Sequence, residues 1–269
     1  MRIGNKEFDT ANKTYVMGIL NVTPDSFSDG GNYTDLDKAL AHCEQMIKEG
    51  AAIIDIGGES TKPGFVPVPA EEQIKRVIPV IEKLKANFDI PVSVDTYDGT
   101  VAEAAIGAGA DLINDIYGLK KDPNMAAVIA RHNVPCVLMH NRVENPGYVD
   151  FPTEYIADLK ECLAIADEAG IDRKKIILDP GVGFAKDYEQ NLWVIRHLEE
   201  LLFLECPVLL GTSRKSVIGL TLDLSVGERL EGTIATTVIG VMKGCAFVRV
   251  HDVKENVRAI QMTEAIMGD

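Results

Sequence analysis

Cysteine is scarce in this chain and badly placed for crosslinking. The 269 residues include five, Cys43, Cys136, Cys162, Cys206 and Cys245, an odd number, widely scattered and without a CxxC pair. That excludes the disulfide framework of a small secreted domain and offers no zinc site. The five read as buried thiols in a reducing cytoplasm. Also missing is any run of roughly 18 consecutive apolar residues, the length a membrane span requires. The opening stretch MRIGNKEFDTANK lacks the apolar core of a secretory leader. Positive charge is short too: 27 Lys and Arg against 41 Asp and Glu leave a formal charge of −14. A protein that tracks nucleic-acid phosphates shows the opposite balance. Any anionic ligand must therefore meet a local cluster of cations. No linker or low-complexity segment divides the chain, so residues 1–269 are expected to form one domain.

What is present is one unit, repeated. Short apolar runs at 14–20, 51–56, 91–95, 110–116, 134–139, 175–179, 207–211 and 246–250 alternate with longer helical patterns. Most of these runs are continuously apolar, as parallel strands buried on both faces require. The clearest helical stretch puts Ile74, Val77, Ile78, Ile81 and Leu84 on one face. Gly50, Gly109, Gly170 and Gly244 each stand where a helix should stop before the next strand. Eight such units predict an α/β protein built as a single (β/α)8 TIM barrel rather than a doubly wound sheet. A turn at Gly4-Asn5, within 1–13, predicts a hairpin capping the barrel bottom. The long irregular stretches 21–34 and 57–69 follow the first two strands, on the face where such barrels carry their chemistry, and read as active-site loops.

The strands end on residues that core packing does not explain: Asn21, Asp55, Asp95, Asn114, Asp179, Ser213 and Arg249, with Met139-His140 on the fifth. Taken singly, a strand-end carboxylate reads equally well as a helix N-cap or loop anchor. Seven at equivalent positions converge on one mouth, and the set points to a ligand. Asp95, Asn114 and Asp179 are acceptors in apolar surroundings, costly unless a ligand with several N–H donors pairs them. The amino-pyrimidine edge of a pterin would. Asp55 fits a structural role better, bonding backbone or an arginine within the barrel. Met139 and Phe184 are core residues by type and flank a flat ring by position. GTSRKS (211–216) after the seventh strand and RVHD (249–252) at the eighth supply anion-binding groups where TIM barrels often hold phosphate. Arg249 and His251, two apart on an extended strand, point the same way; a buried His251 satisfied by a carbonyl is the alternative. The amide oxygen of Asn21 suits magnesium beside phosphate oxygens. GTSRKS has the wrong glycine spacing for a Walker loop.

Assembled in order, NVTPDSFSDGG (21–31), DIGGEST (55–61), SVDT (93–96), INDI (113–116), LMHNR (138–142), LDPGVGFAK (178–186), GTSRKS and RVHDV (249–253) resemble the dihydropteroate synthase family over almost the whole chain. One departure is Lys62, where the family's STRPG has arginine; lysine keeps the charge but loses the planar fork. The resemblance implies condensation of 6-hydroxymethyl-7,8-dihydropterin pyrophosphate with p-aminobenzoate, giving 7,8-dihydropteroate and pyrophosphate in folate synthesis. It assigns Asp95, Asn114, Asp179 and Lys215 to the pterin, with Thr61, Met139, Phe184 and Gly211 bordering that substrate. It gives the pyrophosphate to Arg249, His251 and, with Mg2+, Asn21. Thr61, Lys62, Pro63, Phe184 and Ser216 border p-aminobenzoate. Asn21, Asp95, Lys215, Arg249 and His251 are then the catalytic set. A cytoplasmic homodimer is implied, with no nucleic-acid or membrane partner. The alternatives are a methyltetrahydrofolate:corrinoid methyltransferase-type barrel, which needs no pyrophosphate site, and a non-catalytic pterin-binding protein.

Overall fold

The computed structural model describes residues 1–22, 33–59, 67–144 and 146–268, with the side chains of 33–35 left aside. Eight strands run in parallel: β3 (Tyr15–Asn21), β4 (Ile53–Gly57), β5 (Val92–Asp95), β6 (Leu112–Asp115), β7 (Cys136–Met139), β8 (Ile176–Asp179), β9 (Leu209–Leu210) and β10 (Phe247–Val250). They pair in the order β8-β7-β6-β5-β4-β3-β10-β9. A parallel bridge between Leu178 and Val208 joins the two outer members and closes the ring. The expected TIM barrel is therefore the fold. Helices α1 (Tyr33–Glu49), α2 (Ala70–Asn87), α3 (Gly99–Gly107), α4 (Met125–His132), α5 (Phe151–Ala169), α6 (Tyr188–Arg196), α7 (Ser216–Leu222), α8 (Leu230–Met242) and α9 (Val253–Met267) follow the strands in turn.

The strands are apolar on both faces because both faces are covered. Val16, Ile54, Ile56, Val92, Val94, Leu138 and Leu178 pack outward against the helices. Met17, Ile53, Leu112, Val137, Ile177, Leu209 and Phe247 point inward and make one layer across the barrel. On α2 the buried line is Gln73, Val77, Val80, Ile81 and Leu84, while Ile74 and Ile78 are only partly covered. The packed face is thus turned slightly from the one the apolar pattern suggests. Gly170 closes α5 with φ +80°, a left-handed cap that costs glycine nothing.

Two short strands, β1 (Arg2–Ile3) and β2 (Lys6–Glu7), form an antiparallel hairpin. Ile3 and Phe8 join the inward apolar layer, and the Phe8 ring meets Tyr15 at 4.9 Å and Phe247 at 5.6 Å. The lower end of the barrel is thereby filled with hydrocarbon. Ser213 differs from expectation: β9 stops at Leu210, so Ser213 lies in the loop beyond the strand.

Candidate active site

Side chains alternate across a strand, so the residue two positions beyond each inward one also points inward. Two steps up from the apolar layer, that rule selects Ile19, Asp55, Asn114, Met139, Asp179, Gly211 and Arg249; on β5 it selects Asp95, above Ser93. All but Arg249, which is half-buried, are buried. A hydrocarbon floor therefore carries a polar storey at the C-terminal mouth.

Arg249 organises one side of that storey. Its Nε donates to Asp55 Oδ2 at 2.5 Å and one terminal nitrogen donates to Asp95 Oδ2 at 2.7 Å. Asn114 Nδ2 donates to the same Asp55 oxygen at 3.2 Å. Among the described residues the other oxygens, Asp55 Oδ1 and Asp95 Oδ1, are buried without a partner, as is Ser93 Oγ below them. Unpaired buried acceptors are costly. Burial pushes the Asp95 carboxyl up to about 7, with Arg249 opposing and Asp55 reinforcing the rise. Asp55 has the structural role its position suggested, and its partner is the arginine.

Asp179 and Lys215 organise the other side. Asp179 Oδ1 accepts the Gly181 N–H at 2.7 Å, and burial raises its carboxyl against the pull of Lys215. Lys215 Nζ donates to the Val182 carbonyl at 2.6 Å and lies 4.8 Å from the Phe184 ring centre. Burial brings the Lys215 ammonium down to about 8, with Asp179 opposing. Gly211 leaves open the space between these groups: a Cβ there would stand 3.5 Å from Asp179 Oδ2 and 3.8 Å from Lys215 Nζ. Met139 pairs in register with Asp179 across β7 and β8. Phe184 is half-buried, and Ser216 is exposed as the first residue of α7.

At the rim, His251 is half-buried and its Nδ1 lies 2.9 Å from Ser213 Oγ; the His251 N–H donates to the same hydroxyl at 3.1 Å. The partner of Nδ1 is thus a hydroxyl. Asn21 ends β3 opposite Gly57 and is exposed, its Oδ1 3.5 Å from where a Gly57 Cβ would lie. Thr61, Lys62 and Pro63 lie outside the described residues. Among the described residues no group of three or more His, Cys, Asp or Glu side chains could cage a metal. Asn21 offers one amide oxygen, a ligand type that magnesium accepts alongside phosphate oxygens and water.

Three features escaped sequence reasoning. Asp115 accepts the N–H groups of Tyr117 and Leu119 and anchors its loop, next to an asparagine that faces the site. Arg214 pairs with Asp252 through both its Nε and a terminal nitrogen, bracing the loop that carries Lys215 to the end of β10. Lys186, inside the LDPGVGFAK motif, contacts His140 on the neighbouring strand's end. Only the last left a signal, a lysine in an otherwise apolar, glycine-rich turn.

In capacity, the mouth presents acceptors (Asp95, Asn114, Asp179) facing cations (Lys215, Arg249) over an apolar floor, with an imidazole and an amide at the rim. A model of pterin binding enzymes matches residues 17–251. The dihydropteroate synthase of Clostridium beijerinckii is 59% identical over 268 residues, 99% of each chain. The Clostridium difficile dihydropteroate synthase, solved in the presence of pteroic acid, superposes with a TM-score of 0.93 at 52% identity, covering 97% of this chain and 99% of that one. The Yersinia pestis enzyme in a sulfonamide drug complex gives 0.92 at 41% identity, covering 100% and 99%. Likeness of this depth across the whole barrel, mouth included, means that the chain belongs to the dihydropteroate synthases, transferases of folate biosynthesis among the pterin binding enzymes.

Proposed function

We propose that this mouth condenses 6-hydroxymethyl-7,8-dihydropterin pyrophosphate with p-aminobenzoate to give 7,8-dihydropteroate and pyrophosphate, by breaking the carbon–oxygen bond before the amine attacks. The observation that carries the reading is the unpartnered, buried Asp95 Oδ1, with Asp179 across the mouth. These acceptors want the N–H donors of an amino-pyrimidine edge. Asn114 and Asp179 complete that edge, Met139 and Phe184 flank the ring, and Lys215 faces Asp179. Arg249 and His251 take the phosphates at the rim, with Asn21 contributing its oxygen to magnesium. Phe184 and Ser216 border the arylamine, together with Thr61, Lys62 and Pro63.

The electron-rich dihydropterin can spread positive charge from its exocyclic methylene into the ring. Loss of pyrophosphate then needs charge stabilisation at the leaving oxygens, which Arg249 and His251 provide by position. Magnesium, when bound, adds Lewis-acid neutralisation of the phosphates. The carboxylate of Asp95 steadies the electron-poor ring by its charge. The neutral arylamine attacks and loses its proton afterwards, so no strong base is required.

Sulfonamides copy the arylamine and should compete with p-aminobenzoate. A homodimer in the cytoplasm completes the reading. Leu220, Leu222, Ile239 and Met242 stand exposed on α7 and α8 and could serve as an apolar contact face; sedimentation velocity tests it, a monomer at micromolar concentration counting against it. The site itself is tested by calorimetry of Asp179→Asn with the pterin pyrophosphate. Loss of the charged acceptor should cost about 1.5–3 kcal/mol; unchanged affinity removes Asp179 from the site. A secondary deuterium isotope effect near unity at the methylene would sink the dissociative order.

A further inference from the structure

Lys186 closes the turn that follows β8 and has no part in the chemistry above. Three acceptors surround its Nζ: His140 Nδ1 at 2.7 Å, the Gly181 carbonyl at 2.9 Å and the Phe184 carbonyl at 3.1 Å. Burial pulls the Lys186 ammonium well below the ordinary lysine range, with Asp179 opposing; the three acceptors favour the charged form, because a neutral amine has only two N–H bonds to give. Since Nδ1 accepts, the imidazole proton sits on Nε2, which donates to Asp158 Oδ2 at 3.1 Å. That oxygen also accepts from Arg142 Nε at 2.7 Å. His140 is fully buried, its ring 4.5 Å from that of Tyr155. Burial and the Lys186 charge keep it neutral, its imidazolium form pushed down to about 3. A line of hydrogen bonds thus runs from α5 through His140 to the turn.

What the line grips is Gly181. This residue has φ +66°, and a Cβ on it would stand 1.9 Å from the His140 carbonyl oxygen. Its N–H donates to Asp179 Oδ1 at 2.7 Å and its carbonyl accepts from Phe184 N at 3.1 Å. Gly181, whose N–H aims Asp179, is therefore held from outside the site through its carbonyl, on the next peptide, by Lys186. A lysine with a desolvated charge is an expensive way to hold a turn, and this one ends one peptide away from the carboxylate that meets the ligand.

We propose that Lys186, itself held by His140 and Asp158, is a positioning residue that orients the Asp179 carboxylate toward the pterin. It touches no substrate. The inference rests on the assignment of Asp179 to the pterin, and the test separates the two. Affinity for the pterin pyrophosphate is measured calorimetrically for Lys186→Met, Asp179→Asn and the double variant, each checked by circular dichroism and a cooperative melt. Lys186→Met should bind roughly tenfold more weakly, the scale on which small misplacements of binding groups act. In the Asp179→Asn background the same change should add less than about twofold, because a residue working through Asp179 has nothing left to aim. A merely structural lysine would show its full loss in both backgrounds, and that multiplication overturns the proposal. So does unchanged affinity in a folded Lys186→Met. Unchanged affinity in Asp179→Asn would instead sink the pterin assignment. If Lys186→Met does not fold, His140→Phe, which keeps the packing against Tyr155 but removes the acceptor, should show the same non-multiplying loss; a multiplying or absent one overturns it.

Discussion

Two glycines at the mouth should answer the same methyl group in opposite ways. At Gly211 an added Cβ would meet Asp179 Oδ2 at 3.5 Å, Lys215 Nζ at 3.8 Å and Arg249 Cβ at 4.0 Å, all ordinary contacts, and its φ is not left-handed. Gly211→Ala should therefore fold normally, with stability unchanged or raised by about 0.4–1 kcal/mol through the stiffer unfolded chain. The methyl would nevertheless stand in the space between the acceptors and the ammonium, where a flat heterocycle has to lie. Overpacking a fitted space costs about 1–3 kcal/mol, so the pterin pyrophosphate should bind roughly 5- to 150-fold more weakly. At Gly181 the numbers reverse, with a Cβ 1.9 Å from a backbone carbonyl and φ +66°. Gly181→Ala must shift the turn and should destabilise the fold by about 1–3 kcal/mol before any ligand is added. Urea unfolding with a constant m-value reads the first quantity and calorimetry the second. A Gly211→Ala protein with wild-type affinity, or one that loses stability, would refute the placement of the ligand against Gly211.

Arg249→Ala strips the cation from two buried carboxylates, Asp55 and Asp95, and should cost about 3–5 kcal/mol in urea denaturation besides weakening phosphate binding; an unshifted midpoint would mean that the acids do not need it. Asp95 holds its proton up to about 7 in the fold against an ordinary 3.8, so its stabilising contribution is complete below about pH 4 and lost as pH rises through about 7. Asp95→Asn should accordingly flatten the fall in melting temperature across that window, and an unaltered slope would refute the assignment. Lys215 loses its proton near 8, so kcat/KM for the pterin pyrophosphate should fall above that pH, and Lys215→Met should abolish the limb along with most of the activity.

The alternation of apolar runs with helical patterns determined the barrel, because eight parallel strands buried on two faces have few other ways to close. The same period of two determined which polar residues face inward: once Ile177 and Phe247 are core, Asp179 and Arg249 must look into the same space. The strand-end residues that the motifs singled out share one mouth for that reason. Which of those groups touch was decided only in three dimensions. Arg249 bonds Asp55, 194 positions away, because closure sets β10 beside β3, and β4 is one strand further on. No local pattern carries that distance. Ser213 finds His251, 38 residues on, only because the loop after β9 folds over the end of β10. Lys186 is a surface residue by type, and its three acceptors converge only where the β7 and β8 ends meet. A strand's period fixes direction from local backbone geometry; a hydrogen-bond partner depends on the barrel's radius and closure, which belong to the whole chain.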